Sequence, residues 1–145
     1  MIAQHGGAAF AGVSQVCLEG IKAAIEFPMD AATKEKKGKL TQHYHAKDNA
    51  VAALGKILKH QSNCADPELL LNFWLTNLPL THDMEEAKVQ NEFLAESLLK
   101  APATIIGANG ERLEQVVVIF GEICWKKQSD EDTLDMLSVV IANLS

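Results

Sequence analysis

His43-Tyr44-His45 holds the two closest histidines of the chain, and with His60 or Cys64 it has the residue types of a metal site. Zinc requires three or four ligands converging in fixed geometry, and a His-x-His step supplies two at best. A polar helix entry with solvated histidines accounts for the same residues without a metal. Cys17 and Cys124 each fall on an apolar stripe, so both are expected as small core residues, and Cys64 as a loop thiol. Gly6-Gly7 and Gly107-Ala108-Asn109-Gly110 follow no strand, so neither has the setting of a phosphate loop. Spacing assembles no Ser/His/Asp arrangement. The acid runs Glu85-Glu86 and Asp130-Glu131-Asp132 fall at helix starts, where the macrodipole favours negative charge without any catalysis. No catalytic residue, metal ligand or cofactor is therefore assigned.

The elements that position these residues are helical. Apolar residues recur at helical spacing through nearly the whole chain, and no stretch alternates over strand length. Phe10, Val13, Cys17, Ile21 and Ala24 predict a helix over about residues 9–26, with Gly6-Gly7 as the stop of an earlier one. Residues 28–42, carrying Lys34, Lys36, Lys37 and Lys39, read as a polar loop, and a helix follows from about Tyr44 to His60. Asp66-Pro67 opens the next, with a capping carboxylate before a proline at the first helical position, and Pro79 closes it. Asp83 and Glu86 have capping-box spacing at the head of a helix that ends before Pro102. After the 107–110 turn, Leu113, Val116, Val117, Phe120, Ile123 and Cys124 nearly surround one helix, as in a buried element. Ser129 is the expected cap of a last helix bearing Leu134, Leu137, Ile141 and Leu144.

These helices pair, and the pairs recur. Helix starts near Asp66 and Asn109 lie 43 positions apart, and those at Asp83 and Ser129 lie 46 apart. Both spacings match HEAT or armadillo repeats of about 40–47 residues. The expected fold is all-α, a solenoid of antiparallel helix pairs with repeats over about 8–61, 66–100 and 109–145. Such units bury their apolar faces only against neighbours, so three of them are expected to belong to a longer stack.

Composition limits the partners. The 145 residues are 48% hydrophobic and 22% charged, which suffices for a packed core, and the net charge is −6. That charge argues against sequence-independent nucleic-acid binding, which needs a basic face. Apolar runs such as Val116–Phe120 fall far short of the ~20 residues that cross a bilayer, and Met1–Gly6 lacks the pattern of a signal peptide. Three widely spaced cysteines suit reduced thiols in the cytosol or nucleus. Charge is unevenly placed: residues 34–47 carry five lysines against Glu35, and residues 62–99 carry seven acids against Lys88. Solvated helix faces explain this pattern, and so does an acidic surface that attracts basic partner segments. Phe73, Trp74 and Trp125 likewise fit either core positions or aromatic anchors at a groove.

Several of these stretches resemble one family. His5-Gly6-Gly7, Asp48-Asn49-Ala50-Val51-Ala52-Ala53-Leu54-Gly55-Lys56-Ile57 and Trp74-Leu75-Thr76-Asn77-Leu78-Pro79-Leu80 are similar to the importin β-3 subgroup of karyopherin-β nuclear transport receptors. Asp83-Met84-Glu85-Glu86-Ala87 and Ile105-Ile106-Gly107-Ala108-Asn109 continue the likeness in order, over about residues 2–123, to the C-terminal HEAT repeats of those receptors. Residues 126–145 match poorly.

The resemblance implies a non-enzymatic scaffold that shuttles between cytoplasm and nucleus. It implies protein cargo on a concave face built from second helices; by face alone Asp48, Glu85, Glu92 and Asp135 lie there, and the acidic charge pattern suits cargo with basic segments. It implies phenylalanine-glycine nucleoporins in grooves between first helices on the convex face, the place of Phe73, Trp74 and Trp125. Ran-GTP, which releases import cargo, is contacted in the family mainly by N-terminal repeats outside the matched stretch. The alternatives are a HEAT-repeat adaptor of another multiprotein assembly and a small all-α metal enzyme using His43, His45 and His60.

Overall fold

The computed structural model describes residues 13–28, 37–61 and 66–144. Among these residues there are seven helices and no strand: α1 Ser14–Ile25, α2 Lys37–His60, α3 Pro67–Thr76, α4 Met84–Lys100, α5 Pro102–Ile106, α6 Leu113–Lys126 and α7 Glu131–Leu144. Gly6-Gly7, Lys34, Lys36 and Cys64 lie outside the described residues.

The helices stack as pairs in two layers. In one layer α2 packs on α4 and α4 on α7; in the other, α3 packs on α6. Contacts of α1 and α3 with α2 join the layers at one end of the stack. One continuous core runs through them, from Val51 and Leu54 through Trp74 and Leu94 to Phe120 and Leu137, each at most 1% exposed. Burial of side chains of this size contributes ~1.5–3 kcal/mol each, which binds units that have little core of their own. The fold is an all-α solenoid of helix pairs. None of the described helices is long and apolar enough to cross a membrane.

Two local expectations about helix bounds change. The second helix begins at Lys37, inside the stretch read as a polar loop over 28–42. Lysine, leucine and glutamine are good helix formers, and a polar first turn on a solvated helix looks like loop in composition. Pro102 does end α4, since the residue before a proline is pushed out of the helical region and Ala101 has φ −150°. The same proline opens the one-turn α5, where its fixed φ suits the first helical position. Gly107 closes that turn with φ +91°, a conformation that L side chains rarely adopt.

The caps differ as well. Asp66 accepts from the N–H groups of Glu68 and Leu69 at 3.1 and 3.2 Å. Asp83 accepts from Glu86 N–H at 3.1 Å, but Glu86 does not reach back to complete a capping box. Its carboxylate meets Lys56 Nζ at 2.7 Å, and the Asp83 N–H donates to Asp48. The last helix is capped by Asp130, whose Oδ1 accepts from Thr133 N–H at 2.9 Å, and not by Ser129. The backbone N–H and the hydroxyl of Thr133 hold the Asp130 carboxyl below its usual range.

Candidate protein-binding surface

Two buried polar side chains join successive units. Asp48 on α2 is 6% exposed, and its Oδ2 accepts from the backbone N–H groups of Thr81, His82 and Asp83 at 3.0, 2.6 and 2.8 Å. Asn91 on α4 stands 43 positions further on and is fully buried. Its Nδ2 donates to Gln128 O at 3.1 Å and to Ser129 Oγ at 3.0 Å, in the turn before α7. Gln128 Nε2 in turn donates to Leu80 O at 2.7 Å. Each unit's second helix thus holds the turn of the next. Asp48 is therefore a link inside the stack and is withdrawn as a cargo contact, because its charge is already spent on three backbone donors.

The remaining acids of the second helices stay at the surface. Glu85 and Glu92 are exposed and lie seven residues apart on one face of α4, and Asp135 is exposed on α7. Glu85 has Lys88 Nζ at 3.6 Å.

The three aromatics separate. Trp74 is fully buried, its Nε1 donates to Gln90 Oε1 at 3.0 Å, and its ring centroid lies 5.2 Å from that of Phe93. It is a core residue and offers nothing to a groove ligand. Gly55 on α2 makes room for it: a Cβ there would meet Gln90 Oε1 and stand 2.7 Å from Trp74 Nε1. Trp125 is 87% exposed, and Val117 and Val118 on the same helix are more than half exposed. The helix α6 is therefore not surrounded; it packs through Val116, Ile119, Phe120 and Ile123 and leaves its other side open. Cys124 is exposed on that open side, contrary to a core role, and Cys17 is half-buried.

Phe73 lines a groove. Between the first helices α1 and α3, a cleft of about 430 Å³ is floored by Leu18, Ile21, Leu54, Leu70 and Phe73, with Leu69 at its lip. Its polar margin is Gln15, Glu19, Lys22, Glu26 and Asp66. A second cleft of about 440 Å³ lies between α3 and α6, on Leu75, Leu78, Val118 and Ile119, with Glu111 and Glu114 at its edge. The backbone N–H groups of Glu111 and Asn109 hold the Glu111 carboxyl below its usual range. Between the two clefts Arg112 clamps α6 to α3, donating to Glu68, to Asn72 Oδ1 at 3.2 Å, and to the carbonyls of Ile105 and Thr104 at 2.6 and 2.9 Å. Sequence reasoning passed over Arg112, Gln90 and Asn91, because nothing in their local spacing marks a contact 16 to 44 positions away.

The histidines do not converge. His43 stacks on Phe27 at 4.9 Å, and Tyr44 stacks on His82 at 4.3 Å with His45 edge-on at 6.3 Å. His60 is at the other end of the same helix, some fifteen residues and hence ~22 Å away at 1.5 Å per residue. Among the described residues no group of three His, Cys, Asp or Glu stands together. Compared with known proteins, the chain matches no family model and no solved structure.

Proposed function

We propose that this chain is a protein-binding scaffold, the C-terminal HEAT-repeat portion of an importin-β-like nuclear transport receptor, working without catalysis. The observation that carries the proposal is the α1–α3 cleft. It is a groove between adjacent first helices, apolar along its floor, with the aromatic Phe73 in its wall and Leu69 66% exposed beside it. A cleft of this size lies within the ~300–1,000 Å³ typical of ligand sites, and exposed apolar side chains beside it lower the cost of docking another. In the family reading this is where phenylalanine-glycine segments of nucleoporins dock. Exposed Glu85, Glu92 and Asp135 on the second helices would meet basic segments of cargo. Ran-GTP would act mainly through other repeats of the receptor, and the protein would shuttle between cytoplasm and nucleus.

Two kinds of support stand behind this proposal: the motifs shared with the importin β-3 subgroup, and the stacked helix pairs. Calorimetric titration of the chain with a phenylalanine-glycine repeat protein tests it. Saturable binding that disappears when every phenylalanine of the repeat is replaced by serine is expected. Equal heats for both proteins would leave a HEAT adaptor of another assembly as the better account.

A further inference from the structure

We infer that the clefts between the first helices select partner segments whose apolar anchors are flanked by lysine or arginine. This inference rests on the groove-binding proposal above and names the class of segment. Among the described residues, the α1–α3 cleft is bordered by three carboxylates, of Glu19, Glu26 and Asp66, against the single ammonium of Lys22. Their local partners leave that balance negative. Glu19 accepts a hydrogen bond from the neutral Gln15 at 2.9 Å, Asp66 caps α3 through uncharged N–H groups, and only Glu26 has Lys22 nearby, at 3.9 Å.

The next cleft repeats the pattern. Glu111 and Glu114 border it, and among the described residues no lysine or arginine lines it. A third cavity of about 430 Å³, on Leu71, Trp74 and Phe93, is bordered instead by Lys59 and Lys100, both paired with Glu96 at 3.9 and 3.1 Å, with Lys59 Nζ 5.3 Å from the Phe93 ring centroid. Both clefts thus carry acidic borders, the apolar floor belongs to the α1–α3 cleft, and the cleft between them on Glu68, Asn72, Glu111 and Arg112 carries both signs. A carboxylate at the edge of a low-dielectric wall acts more strongly on a ligand charge than one on an open surface. An occupant must therefore offer apolar anchors to the floor and cationic flanks to the border. Arg112, which follows Glu111 in the chain, is already held by Glu68, Asn72 and two carbonyls.

Three synthetic peptides with identical phenylalanine and leucine anchors test this, flanked by lysine, by glutamine or by glutamate. Fluorescence anisotropy with the full chain is expected to rank them lysine, glutamine, glutamate. The lysine peptide should bind about tenfold tighter than the glutamine peptide at about 0.05 M salt and converge with it at about 0.5 M. The double variant Glu19→Gln/Glu26→Gln should cut that advantage to about threefold or less. Leu69→Ser, at a 66% exposed position that folding tolerates, should weaken all three. Equal affinity of the lysine and glutamine peptides at low salt would overturn the inference and leave groove binding standing. Binding of none of them, with phenylalanine-glycine repeats also inert, would remove both. A lysine advantage untouched by the double variant would also overturn it, because the selecting charge would lie elsewhere.

Discussion

Gly55 shows how much a single position in the stack can carry. It lies on α2 where the helix passes over the Trp74–Gln90 hydrogen bond, and any side chain would strike that pair. Gly55→Ala should gain ~1 kcal/mol of helix propensity yet lose more to overpacking, for a net destabilisation of ~1–2 kcal/mol by chemical denaturation. A rise in stability would show that the pair moves aside freely. Asp48 and Trp74 teach the same lesson about legibility. Both stand at spacings that fit either a surface face or a buried one, and only the tertiary neighbours decide. Asp48 finds three backbone donors and Trp74 one amide oxygen. A lone sequence holds no record of such distant partners, so the aromatic and acidic candidates could not be separated there. Phe73 and Trp125 emerged accessible and Trp74 did not.

At the scale of the element, helix starts were legible wherever a side chain caps the backbone locally. Asp66 and Asp83 cap as their positions foretell, because the signal and the contact lie within one turn. The polar start of α2 and the one-turn α5 were not legible, since the first has no apolar stripe and the second opens on the proline that closes its predecessor. Ser129 and Asp130 are adjacent capping residues, and choosing between them needed the backbone. Asp130→Ala should cost ~1 kcal/mol by loss of the cap, with α7 amides exchanging faster in hydrogen-exchange NMR. The acid side has a definite sign. Because the folded Asp130 pKa is lowered, the contribution of its carboxylate is complete above about pH 4 and fades as pH falls through the lowered value. Amide protection in the first turn of α7 should therefore hold from pH 7 to about pH 4 and decline below it. A decline centred near pH 6 would point to a histidine instead.

For the whole molecule, the recurrence of helix starts at 43 and 46 positions was the most informative feature of the sequence, and in the structure the starts of α3 and α6 lie 46 apart and those of α4 and α7 lie 47 apart. The same recurrence places Asp48 on α2 and Asn91 on α4 where each pins the turn of the next unit. The layers follow from it, since helices that repeat with one period bury equivalent faces on one another. Leu137 is 1% exposed in the core of the last unit, whereas Ile141, on the apolar stripe of the same helix, is 48% exposed. Leu137→Asp should therefore lower stability by several kcal/mol, and Ile141→Asp by ~1 kcal/mol or less, each read from a urea midpoint. Equal losses would mean that α7 is buried on both sides in solution.

The central claim is that partner segments enter the cleft between α1 and α3. Backbone amide shifts of the labelled chain, followed by NMR as a phenylalanine-glycine peptide is added, test it most directly. The account predicts saturable shifts clustered at Leu18, Ile21, Leu69, Leu70 and Phe73, with α4 and α7 unmoved. Shifts confined to α4 and α7, or none at millimolar peptide, would contradict it.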